Sequence, residues 1–247
     1  MNYLQNAVTI ITGASSGIGE ATARKLAACG AHVVLLARNE EKLKIIAAQI
    51  RASGGSATFF VTDVTDPHSV KAAIAAIERD VGAVDILVNN AGLMLFSYWK
   101  DVALDDWNQM IDTNIRGYLH CIAAVLPGML ERQSGRILNM DSIAGLRVAE
   151  AGGVYGATKF FIRGMTEGLR KEVGVSHGIQ VCMVSPGVID TGWPDRIKDP
   201  EGKASAEELS KVAIEPEFIA DAVAFALDKP PSVSIGDLIV HPTKQGW

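Results

Sequence analysis

Tyr155 and Lys159 stand four positions apart in a stretch of helical period, so their side chains fall on one face of a helix. A phenol with an ordinary pKa of about 10 is a poor base near neutrality, and an ammonium beside it favours the phenolate. The pair suits general acid and base chemistry. Alone, such a pair more often marks an ordinary solvated helix surface. Ser142 lies thirteen residues earlier, where the fifth predicted strand ends. A hydroxyl there can hydrogen-bond an oxygen on which charge develops, and strand ends are where open α/β sheets bind ligands.

A second cluster is the run TGASSGIG at 12–19, between the first predicted strand and the first predicted helix. Glycines at such a turn let the backbone approach a pyrophosphate, and the helix N-terminus offers free amides to the anion. Gly13, Gly17 and Gly19 are spaced G-x-x-x-G-x-G, which differs from G-x-G-x-x-G. The same letters fit the G-x-S-x-G elbow of serine hydrolases, with Ser15 as nucleophile and downstream histidines that include His177 and His241 as candidate bases. An elbow on the first strand leaves no upstream strand to supply a second oxyanion amide. About 20 residues past a dinucleotide loop, an acid selects NAD and an arginine suits the 2′-phosphate of NADP. Arg38 occupies that place, with Asn39 after it and Ser15 within reach. The expected cofactor is NADP(H), and the alternative is a solvated arginine opening the next helix.

Short apolar runs at 7–12, 32–37, 58–62, 86–89, 135–140, 180–184 and 237–240 read as strands. Between them, 18–29, 40–52, 67–80, 105–132, 154–175 and 216–227 carry helical period. Pro67 and Pro216 sit at plausible first helical positions. Strand and helix in alternation imply right-handed crossovers. The expected fold is α/β: a doubly wound Rossmann fold with a seven-stranded parallel sheet and helices on both faces. No linker divides the chain, so 1–247 reads as one domain. Residues 187–215 break the rhythm and read as a long loop over the substrate.

Lys and Arg number 23 against 28 Asp and Glu, for a net charge of −5 without a basic block, which argues against nucleic acid. Cys29, Cys121 and Cys182 lack metal or disulfide spacing and read as buried free thiols, and no metal site is expected. The first five residues lack the regions of a signal peptide, and the uncharged segment 117–130 is shorter than a membrane span and contains Pro127. A soluble, cytoplasmic protein is expected.

Taken together, TGASSGIG, Asp63-Val64, Asn89-Asn90-Ala91-Gly92, Asn114, Ser142, Tyr155, Lys159 and Pro186-Gly187 occur in an order and spacing that resemble the short-chain dehydrogenase/reductase family, in its branch of roughly 250 residues. The resemblance spans essentially the whole chain. It implies an NADP(H)-dependent oxidoreductase that interconverts a ketone or aldehyde and an alcohol. Tyr155 would move the proton, Ser142 would bind the same oxygen, Lys159 would lower the Tyr155 pKa and hold the nicotinamide ribose, and Asn114 would hold a relay water. Gly13, Ser15, Ser16, Gly17, Ile18 and Gly19 would cradle the phosphates. Asp63 and Val64 would meet the adenine, Asn90, Ala91 and Gly92 would line the adenosine side, and Pro186, Gly187, Val188, Ile189 and Thr191 would hold the nicotinamide amide. The tail His241-Pro242-Thr243 resembles microbial NADPH-preferring carbonyl reductases and 3-hydroxy-acid dehydrogenases. A non-catalytic NADPH-binding member would normally have lost Ser142, Tyr155 or Lys159. Members of this length are usually dimers or tetramers, so a homo-oligomer is expected.

Leu93, Met94, Ile143, Val148 and Trp193 are the expected apolar walls of the substrate pocket, and Arg147 is a candidate carboxylate anchor. One position departs from the family, which commonly has serine before its catalytic serine; here it is Asp141. Strand alternation points Asp141 away from Ser142 and favours a structural role over tuning the site or selecting a basic substrate group.

Overall fold

The computed structural model describes residues 2–246. Seven strands, β1 (Val8–Thr12), β2 (His32–Ala37), β3 (Ser56–Val61), β4 (Ile86–Asn89), β5 (Arg136–Met140), β6 (Gln180–Pro186) and β7 (Asp237–Val240), form one sheet in the order β3-β2-β1-β4-β5-β6-β7. All pairs are parallel, as the alternation of strands and helices implies. Winding starts at β1 and reverses there, so a crevice opens at the C-terminal ends of β1 and β4.

Both sheet faces are buried, and the alternation along each strand decides which core a residue joins. Ile11, Val33 and Leu35 pack under α1 (Gly17–Ala28), α2 (Glu40–Ala52) and α9 (Pro216–Leu227). Ile10, Val34 and Leu36 pack under α3 (Pro67–Asp80) and α5 (Gly117–Arg132). Each fully buried Leu or Ile side chain contributes about 1.5–3 kcal/mol. Pro67 and Pro216 both open their helices, and Asp66 caps α3 by accepting from the His68 amide at 2.9 Å.

Three expectations need correction. The segment 105–132 is helical but not one α-helix: α4 (Leu104–Ile111) passes through a π turn, Asp112–Arg116, into α5. Likewise, α6 (Gly153–Leu169) passes through a π turn, Arg170–Gly174, into a short α7 (Val175–His177). Segment 187–215 is not a plain loop, because it holds a 3-10 turn, Trp193–Arg196, and a helix, α8 (Pro200–Ser210). Asp199 caps α8 at the Gly202 amide, and Ala206 joins a small cluster with Phe96, Val188, Trp193 and Ile197. Cys29, at the end of α1, is half-buried, whereas burial pushes the Cys121 and Cys182 thiols up to about 12 and leaves them inert. Among the described residues, no helix is long and apolar enough to cross a membrane.

Candidate active site

The turn after β1 is shaped by contacts that only glycine permits. Gly13 has φ +66°, and a Cβ there would stand 2.8 Å from the Ala91 Cα; a Cβ on Gly19 would meet the Asn90 side chain at 2.5 Å. Thr12 ties this turn to the one after β4: its hydroxyl accepts from the Asn90 and Ala91 amides at 2.9 and 3.0 Å, while Asn90 Nδ2 donates to the Thr12 carbonyl at 2.9 Å. The N-cap of α1, Ser16, makes no side-chain capping bond. Free amides and the helix dipole are thus left facing a cleft of about 460 Å³, lined by Gly13, Ser15, Ser16, Gly17 and Ile18. Gly19 supports the turn from behind and is not part of that lining.

At the far end of the cleft stand Arg38, Asn39, Asp63 and Val64, as the sequence predicts, together with Lys42, which it did not single out. Asn39 Oδ1 accepts from the Lys42 amide at 3.0 Å and caps α2, so that oxygen is committed to the helix. Lys42, whose amide takes that cap, lines the cleft together with Arg38. Asp63 Oδ1 accepts from the Thr65 amide and hydroxyl at 2.9 and 2.8 Å, which fixes the wall beneath the cleft.

A second cavity, of about 170 Å³, adjoins the first. Ser142, Tyr155 and Lys159 converge on it from β5 and α6, with Met94, Ile143 and Trp193 on its apolar walls. Trp193 packs edge-on against Phe96, ring centroids 5.4 Å apart. Pro186, Gly187, Val188 and Ile189 form the floor beyond β6, and Gln245 braces it by accepting from the Val188 amide at 3.1 Å. Thr191 and Arg196 line both cavities. Val148 is 53% exposed and Arg147 is exposed as well, and neither lines the cavity. Both project from the turn after Ser142 toward solvent. Arg196 occupies the place expected of Arg147, carried there by the 3-10 turn that Trp193 and Ile197 bury at either end.

Lys159 is 4% exposed, and its ammonium donates to the Met140 carbonyl at 2.8 Å. The Tyr118 hydroxyl donates to the same carbonyl at 2.9 Å. Burial pushes Lys159 down to about 8, and the charge of Asp141 opposes the shift. Its Nζ lies 5.8 Å from the Tyr155 ring centroid. The expected lowering of Tyr155 meets a larger effect here: burial pushes the phenol up to about 12, and hydrogen bonding to Ser142 pulls back only part of the shift. Tyr155 is therefore held as the phenol across neutral pH.

Asn114 is fully buried on the π turn, where an irregular turn re-aims a side chain that a regular helix would place elsewhere. Its Oδ1 accepts from the Leu93 amide at 2.8 Å, and its Nδ2 donates to the Leu93 carbonyl at 2.9 Å and to Thr158 at 3.1 Å. It clamps Leu93 to Thr158 on α6. No histidine lines either cavity, so Ser15 has no base in reach and the hydrolase elbow lacks its machinery among the described residues.

Comparison with known proteins agrees with this geometry. The short chain dehydrogenase family model matches residues 7–202. The sequence is 43% identical to an uncharacterized oxidoreductase of Staphylococcus saprophyticus over 246 residues, 99% of both chains. A serine dehydrogenase solved in its closed form with NADP+ superposes with a TM-score of 0.88 at 31% identity, covering 97% of this chain and 96% of that one. A metagenomic short-chain oxidoreductase in complex with NADP superposes with a TM-score of 0.83 at 32% identity, covering 98% of this chain and 100% of the other.

Proposed function

The chain belongs to the short-chain dehydrogenase family of oxidoreductases, and from that premise we propose that it interconverts a ketone or aldehyde and the corresponding alcohol with NADP(H), using Tyr155 as general acid and base. The observation that carries this reading is the convergence of Ser142, Tyr155 and Lys159 on an apolar cavity that opens into the cleft under the uncapped end of α1. The residues present fit the cofactor. The α1 amides and the backbone of residues 15–18 take the pyrophosphate, Arg38 and Lys42 take a 2′-phosphate, Asp63 and Val64 hold the adenine end, and Pro186–Ile189 with Thr191 hold the nicotinamide end. When bound, the nicotinamide supplies or accepts the hydride.

In reduction, the Tyr155 phenol donates its proton to the carbonyl oxygen, and the Ser142 hydroxyl stabilises the charge growing on that oxygen. Lys159 supplies positive charge beside the phenolate that remains. In oxidation the same phenolate takes the proton back. Asn114 acts by fixing Leu93 and Thr158, and any relay water would have to use atoms outside those bonds. Met94, Ile143 and Trp193 favour a medium-sized, partly apolar substrate. Leu119 on α5 and Phe160 and Phe161 on α6 are 41%, 46% and 40% exposed, which supports association of copies into a dimer or tetramer. Light scattering on the purified chain reads that state directly.

The founding test follows NADPH absorbance while the protein meets a panel of ketones and aldehydes; absence of turnover across the panel refutes the activity. Cofactor choice has its own test. Arg38→Asp removes a charge-assisted contact of about 1.5–3 kcal/mol, so KM for NADPH should rise about 10- to 100-fold while NADH improves. An unchanged KM for NADPH removes Arg38 from the phosphate site.

A further inference from the structure

The carboxylate of Asp141 takes no part in the chemistry above, yet it is placed beside it. Its side chain is fully buried, and its amide donates to the Val184 carbonyl at 2.8 Å as the chain leaves β5. Oδ2 accepts from Arg163 Nη2 at 2.9 Å. Arg163 Nη1 reaches Asp237 Oδ2 at 2.9 Å, and Ser185 accepts from Arg163 at 3.0 Å and donates to Asp237 Oδ1 at 2.6 Å. One guanidinium thus joins the end of β5, β6 and the start of β7. Among the described residues Oδ1 has no hydrogen-bond partner, and it lies against Gly145, where a Cβ would stand 2.6 Å away.

With Oδ2 taken by Arg163 and, at 3.4 Å, by the Ser185 hydroxyl, and with no part of its side chain exposed, Asp141 is not available to select a basic group on a substrate. The catalytic pair lies on the helix that carries Arg163. Arg163 follows Lys159 by four residues and Tyr155 by eight, so all three share one face of α6. Lys159 is bonded to the carbonyl of Met140, the residue directly before Asp141. Among the described residues, the charged or titratable groups that face Lys159 are Asp141 just past β5, Tyr118 on α5 and Tyr155 on its own helix, with Arg163 and, behind it, Asp237 on β7 reached through Asp141. Arg163 is shared between Asp141 and Asp237, so one guanidinium faces two carboxylates and the cluster keeps a net negative charge, and Asp141 is the member joined directly to Met140, on whose carbonyl Lys159 rests. An ammonium in a desolvated interior tends to lose its proton unless a fixed negative charge opposes this. An unpaired buried carboxylate would itself be costly, and Arg163 offsets that cost.

We propose that Asp141, held in place by Arg163, is a positioning residue of the active site that keeps Lys159 charged through the pH range in which the chain works. The inference rests on the reading of Lys159 and Tyr155 given above. Two effects follow from removing the carboxylate charge, and they share a sign. Lys159 loses its proton at lower pH, and Tyr155, relieved of a like-charge neighbour, does too. Both remove the protonated form needed for carbonyl reduction.

In Asp141→Asn the alkaline limb of kcat/KM for ketone reduction should therefore move down by about one pH unit, which is about a tenfold loss one unit above the wild-type limb. Asp141→Ser should move it the same way; serine is the residue the family commonly carries there, so this variant guards against misfolding of the first. A purely structural role predicts lower activity at every pH with the limb in place, and that outcome in both variants overturns the proposal. A readout free of turnover separates this from failure of the enzyme assignment. In protein labelled with 13C-lysine, the pH midpoint of the Lys159 ε-carbon NMR shift should fall by about one unit in Asp141→Asn, and an unmoved midpoint also overturns it.

Discussion

Tyr155→Phe should cut turnover by about a thousandfold while leaving NADPH binding close to wild type, since general acid–base groups supply about 10²–10⁴ in rate. The phenyl ring can stay in its half-buried place, and the loss is confined to one hydroxyl. Burial holds that hydroxyl protonated up to about 12, so at neutral pH the native residue is poised as an acid with its proton in place. Phenylalanine has no proton to give, and water in an apolar cavity is a poor substitute. The check is a pair of measurements on one sample: single-turnover reduction of the best ketone, and NADPH affinity by fluorescence titration. Near-normal turnover would refute the mechanism, whereas lost affinity would move Tyr155 from chemistry to cofactor binding.

Lys159→Met should lower turnover by about 10²–10³, comparable to removing one preorganised electrostatic group, and yet leave the fold as stable as before or more so. The two effects point in opposite directions because the ammonium is 4% exposed and its desolvation costs stability. Methionine follows much of the same path without the charge. The Met140 carbonyl is not orphaned, because the Tyr118 hydroxyl still donates to it at 2.9 Å. Melting by calorimetry should show a transition that is unchanged or raised by about 2–4 °C per kcal/mol gained. A large fall in melting temperature would make Lys159 a structural residue. Retained turnover would remove it from the proposed mechanism.

Much of this site was legible in the sequence because its parts sit where local rules are strict. Ile10 to Thr12 run into glycines that must turn, Ser142 follows an apolar strand, and Tyr155 and Lys159 share a helix face whatever surrounds them. The missed residues are those whose role is decided by tertiary contact. Lys42, Arg163 and Arg196 look like ordinary solvated charges, and only the packing of α2, α6 and the Trp193–Arg196 turn shows which way each faces. The two π turns leave no mark in a five-residue stretch such as DTNIR, so the clamp made by Asn114 was invisible. Helix α8 was missed because PEGKASAEELS carries too few apolar residues to show a period; it is held by a cap and by the buried Ala206. Alternation correctly turned Asp141 away from Ser142, but its arginine lies 22 residues further along the chain.

The Asp141–Arg163 bridge also constrains how such a site can have arisen. Arg163 without Asp141 is tolerable, since Asp237 and Ser185 still receive its guanidinium. Asp141 without Arg163 keeps only a long hydrogen bond from Ser185 and loses its ion pair in the interior, the costlier half of a buried pair to lose. Of the two single-step histories, only the one in which arginine comes first avoids a crippled ancestor. Once the aspartate is in place, any side chain at Gly145 collides with it. Arg163 and Gly145 are thus tied to the aspartate, while the aspartate itself stays free to change.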